Sequence, residues 1–261
     1  MACRSGGQSA QAVSGGFGAR WRRTSRRNPA GYAVPGFLKR YAGAAQAEEA
    51  LRRTKVLRKQ SVQTPAARHG PAPSALDFEM IEGRTGRDLI RRDLRPLLQT
   101  VATLHQASVP DLAPYDPLLR IRPRLGFTDE PALRRIAAGP VPQGRAVLHG
   151  DLHVGQFIVA PDGAVWMVDL DDLAIGPPEA DLANFAAHLA TTDPVHGIAD
   201  WAGQVCDAWA SLGQTADTHV FKRCLHLALL RRHLKLREAG RPDFEGPILI
   251  YLRESSSFSM R

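Results

Sequence analysis

The clearest pattern along the chain is a pair of short apolar runs set about a turn. Phe157-Ile158-Val159 and Val165-Trp166-Met167-Val168 are rich in β-branched and aromatic residues, and Ala160-Pro161-Asp162-Gly163-Ala164 lies between them. A Pro-Asp-Gly core flanked in this way predicts a β-hairpin. Closure that is symmetric about Asp162 sets Ala160 against Ala164, Ile158 against Trp166 and Gln156 against Val168. Gln156 then arrives within about one residue of Asp169 at the open end of the ribbon.

Elsewhere the apolar period is helical. From Ala44 to about Lys59, the positions Ala44, Ala47, Leu51, Thr54 and Arg58 form one weakly amphipathic stripe. Leu89, Leu94, Leu97, Leu98, Val101 and Leu104 predict a core helix from residue 87 to about 107, with Pro96 tolerated near a helix start. Residues 131–138 read as a short helix inside the Pro-, Arg- and Gly-rich stretch 108–145. Beyond the hairpin, Asp181 stands near the start of a helix carrying Leu182, Phe185, Ala186 and Leu189, where it acts as a cap. Two more helices follow, 198–212 through Trp201, Val205 and Trp209, and 218–238 through Val220, Cys224, Leu227, Leu230 and Leu234. Two extended stretches come early. Residues 32–41 form a strand interrupted or turned at Pro35-Gly36 with Lys39 in its second half, and residues 75–83 form a short strand ending at Gly83.

Composition narrows the class. A chain of 261 residues with 44% apolar content fits one large domain or two small lobes with an ordinary core. Cys3, Cys206 and Cys224 are few and irregularly spaced, so a reducing compartment is expected, with the cytoplasm as the default. No window reaches the apolar length that spans a bilayer, and Asn28-Pro29-Ala30-Gly31 after Ser25-Arg26-Arg27 excludes a twin-arginine leader, so no membrane partner is expected. The net charge of +8 would suit phosphate binding. The arginines are spread over the whole chain with little aromatic interleaving, so nucleic acid is not expected, and a protein handling a nucleotide gains from the same positive field.

Candidate chemistry gathers around the hairpin. Leu148-His149-Gly150-Asp151-Leu152-His153 leads into it and Val168-Asp169-Leu170-Asp171-Asp172 leads out. An amide oxygen from Gln156 and a carboxylate from Asp169 share one end of a rigid ribbon, with Asp151 on the entering loop. Few oxygen ligands that leave room for waters and phosphate oxygens suit magnesium better than zinc. His149, Asp151 and His153 also alternate, a spacing that puts three ligands on one face of an extended segment, as in a zinc hydrolase. The chain offers no partner cluster of His and Cys for that second chemistry. His105 reads as packed or capping, and His226 and His233 as lying on a solvated or half-buried face. The glycine-rich segment 13–21 is either flexible linker or a loop whose amides approach phosphates.

The run His149-Gly150-Asp151-Leu152-His153 with Gln156, followed by Asp169 after the hairpin, resembles the catalytic and metal-binding loops of the aminoglycoside phosphotransferase and choline kinase-like family. These are small-molecule kinases with a protein-kinase-like fold. The resemblance implies an α+β, two-lobed fold: a tail over 1–12, a small strand-rich nucleotide lobe over 13–82, and a larger mostly helical lobe over 83–261, with the site at the cleft. It implies ATP and magnesium as cofactors and a small-molecule hydroxyl (amino-sugar, sugar or amino-alcohol) as acceptor. Asp151 would orient and deprotonate that hydroxyl, and Gln156 and Asp169 would hold magnesium on the nucleotide phosphates. Lys39 would reach the phosphates, with Arg40 as its rival, and Glu48 is the partner chosen for it because helical geometry sets Glu48 at the edge of the stripe and turns Glu49 away. Backbone groups around Glu79 to Ile81 would meet the adenine, and a matching Asp at Asp181 would brace the catalytic loop. His153, Asp171 and Asp172 are supporting or substrate-facing groups.

Two departures stand out. The family most often has Asn at the position of Gln156, although maltokinase-like members are similar in carrying His-x-Gly-Gln. Its usual Gly-Asp-Pro reads Gly176-Pro177-Pro178 here. A nucleotide-binding regulatory protein without transfer activity is the alternative function. Asp193, Asp200, Asp207 and Asp217 are the carboxylates a cationic amino-sugar would need, and scattered as they are they read as solvated.

Overall fold

A computed structural model describes residues 20–27, 33–90, 92–193, 196–240 and 245–257. The chain divides into two compact units, one comprising residues up to Lys55 with Pro65–Met80, the other Val56–Thr64 with Ile81–Arg261. Both mix strand and helix, with the helices concentrated in the second, as in the two-lobed protein-kinase-like fold.

The first unit is an antiparallel sheet of β1 (Arg20–Arg27), β2 (Ala33–Arg40), β3 (Ala67–His69) and β4 (Ala75–Glu79) in the order β1-β2-β4-β3. β2 runs unbroken through Pro35-Gly36, where an interruption was expected. Its ladder with β4 begins only at Gly36 against Glu79, so Pro35 sits outside that pairing and its missing amide costs no bond there. The edge strand β3 has no counterpart among the elements expected from the sequence, because three residues carry too little period to read. Helix α1 (Ala44–Lys59) has the expected bounds. Ala47 and Leu51 from its apolar stripe close over Tyr41 and Leu76 as a small core.

The stretch Val56–Thr64 belongs with the second unit for a physical reason. Leu57 and Val62 are buried in the larger core, Gln60 exchanges two 2.8 Å hydrogen bonds with the Ser108 backbone, and the Met167 amide donates to the Gln63 carbonyl at 2.7 Å. In this unit β5 (Arg84–Thr85) pairs with β7 (Phe157–Val159), which pairs with β8 (Val165–Met167), while β6 (Ala146–Leu148) pairs with β9 (Ala174–Gly176), all antiparallel. The hairpin register is the one expected, with Ile158 opposite Trp166.

The single helix expected over 87–107 is two, α2 (Arg87–Ile90) and α3 (Arg95–His105), with Pro96 in the first turn of the second. A proline fits there because its missing N–H would be unpaired anyway. After α4 (Leu118–Ile121) and α5 (Pro131–Ala138), the helices α6 (Glu179–Thr192), α7 (Ile198–Ser211), α8 (Thr218–Glu238) and α9 (Glu245–Ser257) complete the unit. α6 packs on α7 and α8, and α8 on α9. Among the described residues, no helix is long and apolar enough to cross a membrane.

Phe157 links the hairpin to the helices. It is fully buried and meets Phe185 of α6 edge-on, ring centroids 6.0 Å apart. Phe157→Ala should lower unfolding free energy by about 3–5 kcal/mol in urea titrations. A loss below about 1 kcal/mol would show that the hairpin does not depend on this contact.

Candidate active site

The loop after β6 is fixed from below by one carboxylate. Asp181, in the first turn of α6 and only 2% exposed, accepts the backbone N–H of His149 at 2.7 Å and of Gly150 at 3.0 Å. Its Oδ2 also lies 3.0 Å from His105 Nε2. The cap expected of Asp181 is thus a brace on the loop itself. His105 is packed, as expected, edge-on against Trp209 at 5.6 Å.

His149 is fully buried and does structural work. Its Nε2 lies 3.1 Å from the Val168 carbonyl, and its Nδ1 accepts the Asp151 amide at 3.4 Å. A carbonyl can only accept, so the Nε2–H tautomer follows and neither ring nitrogen is left for a metal. Among the described residues no group of three or more His, Cys, Asp and Glu is arranged to hold a metal ion, and with both His149 nitrogens engaged the alternation of His149, Asp151 and His153 does not act as a three-ligand set. Gly150 has φ +79°, and a Cβ there would come within 2.0 Å of the Asp172 carbonyl oxygen. The loop therefore passes the Asp169–Asp172 segment at a distance only glycine allows.

Beyond Asp151, the loop is closed by a short 3-10 turn over Val154–Gln156, whose N-cap His153 accepts the Gly155 amide. Asn184 of α6 donates to the Leu152 carbonyl at 2.8 Å. Gln156, 3% exposed, then enters the hairpin, where its carbonyl accepts the Val168 amide at 2.9 Å. Its Nε2 lies 3.5 Å from Asp169 Oδ2, so the amide and carboxylate predicted to meet at the ribbon's end do meet. Asp169 is left-handed, φ 62°, a conformation Asp tolerates better than most residues. Turning the Gln156 amide by 180° places Oε1 where Nε2 stands and gives two oxygen donors side by side. That donor set fits one magnesium ion completed by water and phosphate oxygens.

Asp151 is held by cations. Arg231 Nη2 donates to its Oδ1 at 2.8 Å and Arg120 Nη1 lies 3.6 Å away, while Arg120 Nη2 reaches Asp172 Oδ2 at 2.5 Å. Burial pushes the Asp151 carboxyl up, but Arg231 and Arg120 outweigh it and hold it at about 2. Nothing in the sequence pointed to Arg120 or Arg231, which stand on α4 and α8. The only trace was an Arg-Arg pair inside the apolar run of α8. His153 stacks on His188 with ring centroids 4.7 Å apart, and burial holds the two imidazoles down at about 4 and about 2.

The remaining candidates lie elsewhere. In the first unit, Lys39 is 1% exposed with Nζ 5.5 Å from the Tyr41 ring centroid. Glu48 is exposed on α1, 3.6 Å from His69 Nε2, and Glu49 pairs with Arg52 and Arg53. Glu79 accepts the Ala66 amide at 3.3 Å at the end of β4. Ile81, half-buried, opens the second unit. The glycines of 14–18 lie outside the described residues. Two of the four scattered aspartates are caps: Asp200 accepts the Gly197 amide, and Asp217 the amides of His219 and Val220. Asp193 and His233 are buried, not solvated.

Two predictions follow from this geometry. Asp181→Ala orphans two buried amides, and should cost roughly 3–5 kcal/mol in urea unfolding, with a matching drop in activity. A loss under 1 kcal/mol would show that the loop holds itself. The second concerns pH. A histidine whose folded pKa is depressed contributes stability that is full above its ordinary pKa of about 6.5 and is lost as the pH falls toward the folded value. The His153–His188 stack should therefore weaken the fold between pH 6.5 and about 4, by on the order of 3 kcal/mol for His153 alone. His188→Phe should flatten that decline in unfolding midpoints, and an unaltered slope would assign it to other groups.

Among curated proteins, no sequence matches this chain. Solved structures do. A choline kinase from Streptococcus pneumoniae aligns with TM-score 0.60 at 12% identity, covering 86% of each chain. An aminoglycoside phosphotransferase from Streptomyces rimosus aligns with TM-score 0.56 at 22% identity over 85% of this chain and 92% of its own. An amicoumacin kinase in complex with AMP-PNP and Ca2+ gives 0.63 at 13% identity, over 96% and 88%. At these identities the likeness establishes the fold. Residues 9–214 match the sequence profile of the phosphotransferase enzyme family, and on that match the chain belongs to this family, as a small-molecule kinase with a hydroxyl acceptor.

Proposed function

We propose that the protein transfers the γ-phosphoryl group of ATP, with magnesium, to a hydroxyl on a small molecule. The observation that carries this reading is the placement of Asp151, Gln156 and Asp169 on one hairpin and its entering loop, with the loop backbone pinned by Asp181. Phosphoryl transfer through a loose transition state asks the protein mainly for positioning and charge. A braced carboxylate meets the first need. Asp151 accepts the hydroxyl hydrogen and aims the oxygen lone pair, taking the proton as the new P–O bond forms. Held at about 2, it stays ionised across the physiological range and acts as an orienting acceptor more than as a strong base.

Gln156 and Asp169 would hold the magnesium ion, which when bound neutralises phosphate charge and fixes the phosphates for in-line attack. Lys39, almost fully buried, is assigned to the nucleotide phosphates and the backbone from Glu79 to Ile81 to the adenine; Glu48, exposed and beside His69, is not the acidic partner expected for Lys39. Gln is one methylene longer than Asn, so Gln156 would hold the ion farther from the loop backbone than an Asn would, or the loop would shift to compensate.

Asp151→Ala should lower turnover by roughly 10²–10⁴-fold while leaving the Kd for ATP measured by titration calorimetry within about twofold. Chelation of magnesium should abolish transfer, and its return should restore it. Unchanged turnover in Asp151→Ala would remove this residue from the mechanism. Nucleotide binding with no transfer to any hydroxyl compound would instead mark a regulatory protein. Gln156→Asn distinguishes an adapted metal site, which the substitution weakens, from a degraded one, which it improves.

A further inference from the structure

The acceptor side of Asp151 carries an unusual charge. Arg231 and Lys235 lie one helical turn apart on α8 and Arg232 stands beside them, while Arg120 reaches the same carboxylate from α4, which packs against α8. Arg120 and Arg231 touch Asp151 directly. Arg232 and Lys235 lie close enough to Asp151 to feel its charge. Against these four cations stand Asp151 and Asp172. The other charged neighbours do not redress the balance: Arg124 is paired with Glu238 at 2.6 Å, the half-buried His153 and His188 stay neutral, and Asp169 faces Gln156.

Much of this positive charge is not consumed within the chain. Arg231 gives Asp151 only its Nη2, leaving further N–H donors of the same planar fork. Among the described residues the half-buried guanidinium of Arg232 has no hydrogen-bond or ion-pair partner, an arrangement that is costly unless something else supplies the anion. Burial and the neighbouring Arg231 depress Arg232 to about 10, the response of a cation confined among cations.

We infer that the acceptor is an anionic alcohol, a hydroxyl compound bearing a carboxylate or phosphate group that binds Arg231, Arg232 and Lys235 while its hydroxyl meets Asp151. This inference rests on the reading of Asp151 as the residue that orients the acceptor. Guanidinium forks match carboxylate and phosphate oxygens in pairs of parallel hydrogen bonds, whereas among the described residues the carboxylates that meet these cations, Asp151 and Asp172, are already paired and offer an ammonium or quaternary amine no acidic cage. The anion has a second effect. By drawing Arg231 toward itself it uncovers Asp151 Oδ1, the oxygen Arg231 now occupies, so that this oxygen becomes available to the hydroxyl.

The test uses four matched probes, D-gluconate, D-glucose 6-phosphate, D-glucose and D-glucosamine, titrated calorimetrically into the full chain loaded with AMP-PNP and magnesium at physiological salt. At least one anionic probe should bind ten-fold or more tightly than glucose and glucosamine, and the tighter of the two identifies the carboxylate or the phosphate source. Arg232→Gln with Lys235→Gln should abolish that advantage, with the folded state checked by thermal melting and the exposed Lys235→Gln as a single-variant control giving a smaller loss in the same direction. Glucosamine or glucose binding as well as both anions, no anion binding at all, or an advantage untouched by the double variant would each overturn the inference. The AMP-PNP titration in the same samples separates the two levels: lost nucleotide binding strikes the phosphotransferase mechanism, and intact nucleotide binding with no anion preference strikes the acceptor assignment alone.

Discussion

Everything at the site hangs on a carboxylate buried beneath the loop. Asp181 holds the amides of two consecutive residues, His149 and Gly150, so two adjacent peptide planes point at one buried anion. That constraint fixes the direction in which the next residue, Asp151, leaves the loop. The anion is stabilised by two charge-assisted backbone bonds and by His105, and it rides on α6, one of the most buried helices of its unit. A carboxylate on an unbraced surface loop would wander; the Asp151 loop inherits the rigidity of α6 through the two bonds to Asp181 and the bond from Asn184 to the Leu152 carbonyl.

Around that brace the loop is closed by chemistry of limited tolerance. His149 bonds to the Val168 carbonyl and so ties the loop to the strand that ends at Asp169. Gly150 lets the loop graze the Asp172 carbonyl. Two segments separated in sequence by the hairpin are thereby stitched together twice, once by a ring nitrogen and once by the absence of a side chain. The positions of Gln156 and Asp169 relative to Asp151 are then determined by backbone contacts and not by the long side chains themselves.

The electrostatics are asymmetric. The hairpin end presents the Gln156 amide and the Asp169 carboxylate, whereas Asp151 is met by guanidinium groups from α4 and α8. An aspartate held by these guanidinium groups keeps its charge at any physiological pH. It can orient a hydroxyl without first having to lose a proton.

The amino-acid sequence by itself determined whatever depends on neighbours along the chain. The Pro-Asp-Gly turn and flanking β-branched residues set the hairpin and its register, which alone brought Gln156 to Asp169. The bounds of α1 and α8 followed from apolar period and flanking residues. Short elements such as β3 and the split between α2 and α3 escaped because a few residues carry no period, and α9 lay past the last stretch with a clear apolar pattern. What only the tertiary structure decided is long-range. Arg231 against Asp151, 80 residues away, and the burial of His149 and His233 arise where helices pack across the core, as do the bonds that realise the brace the resemblance implied for Asp181, 32 residues from His149. A local pattern states which face a residue occupies on its own helix or strand. Only packing states what that face meets, and at this site the meeting of faces sets the charge and aim of Asp151.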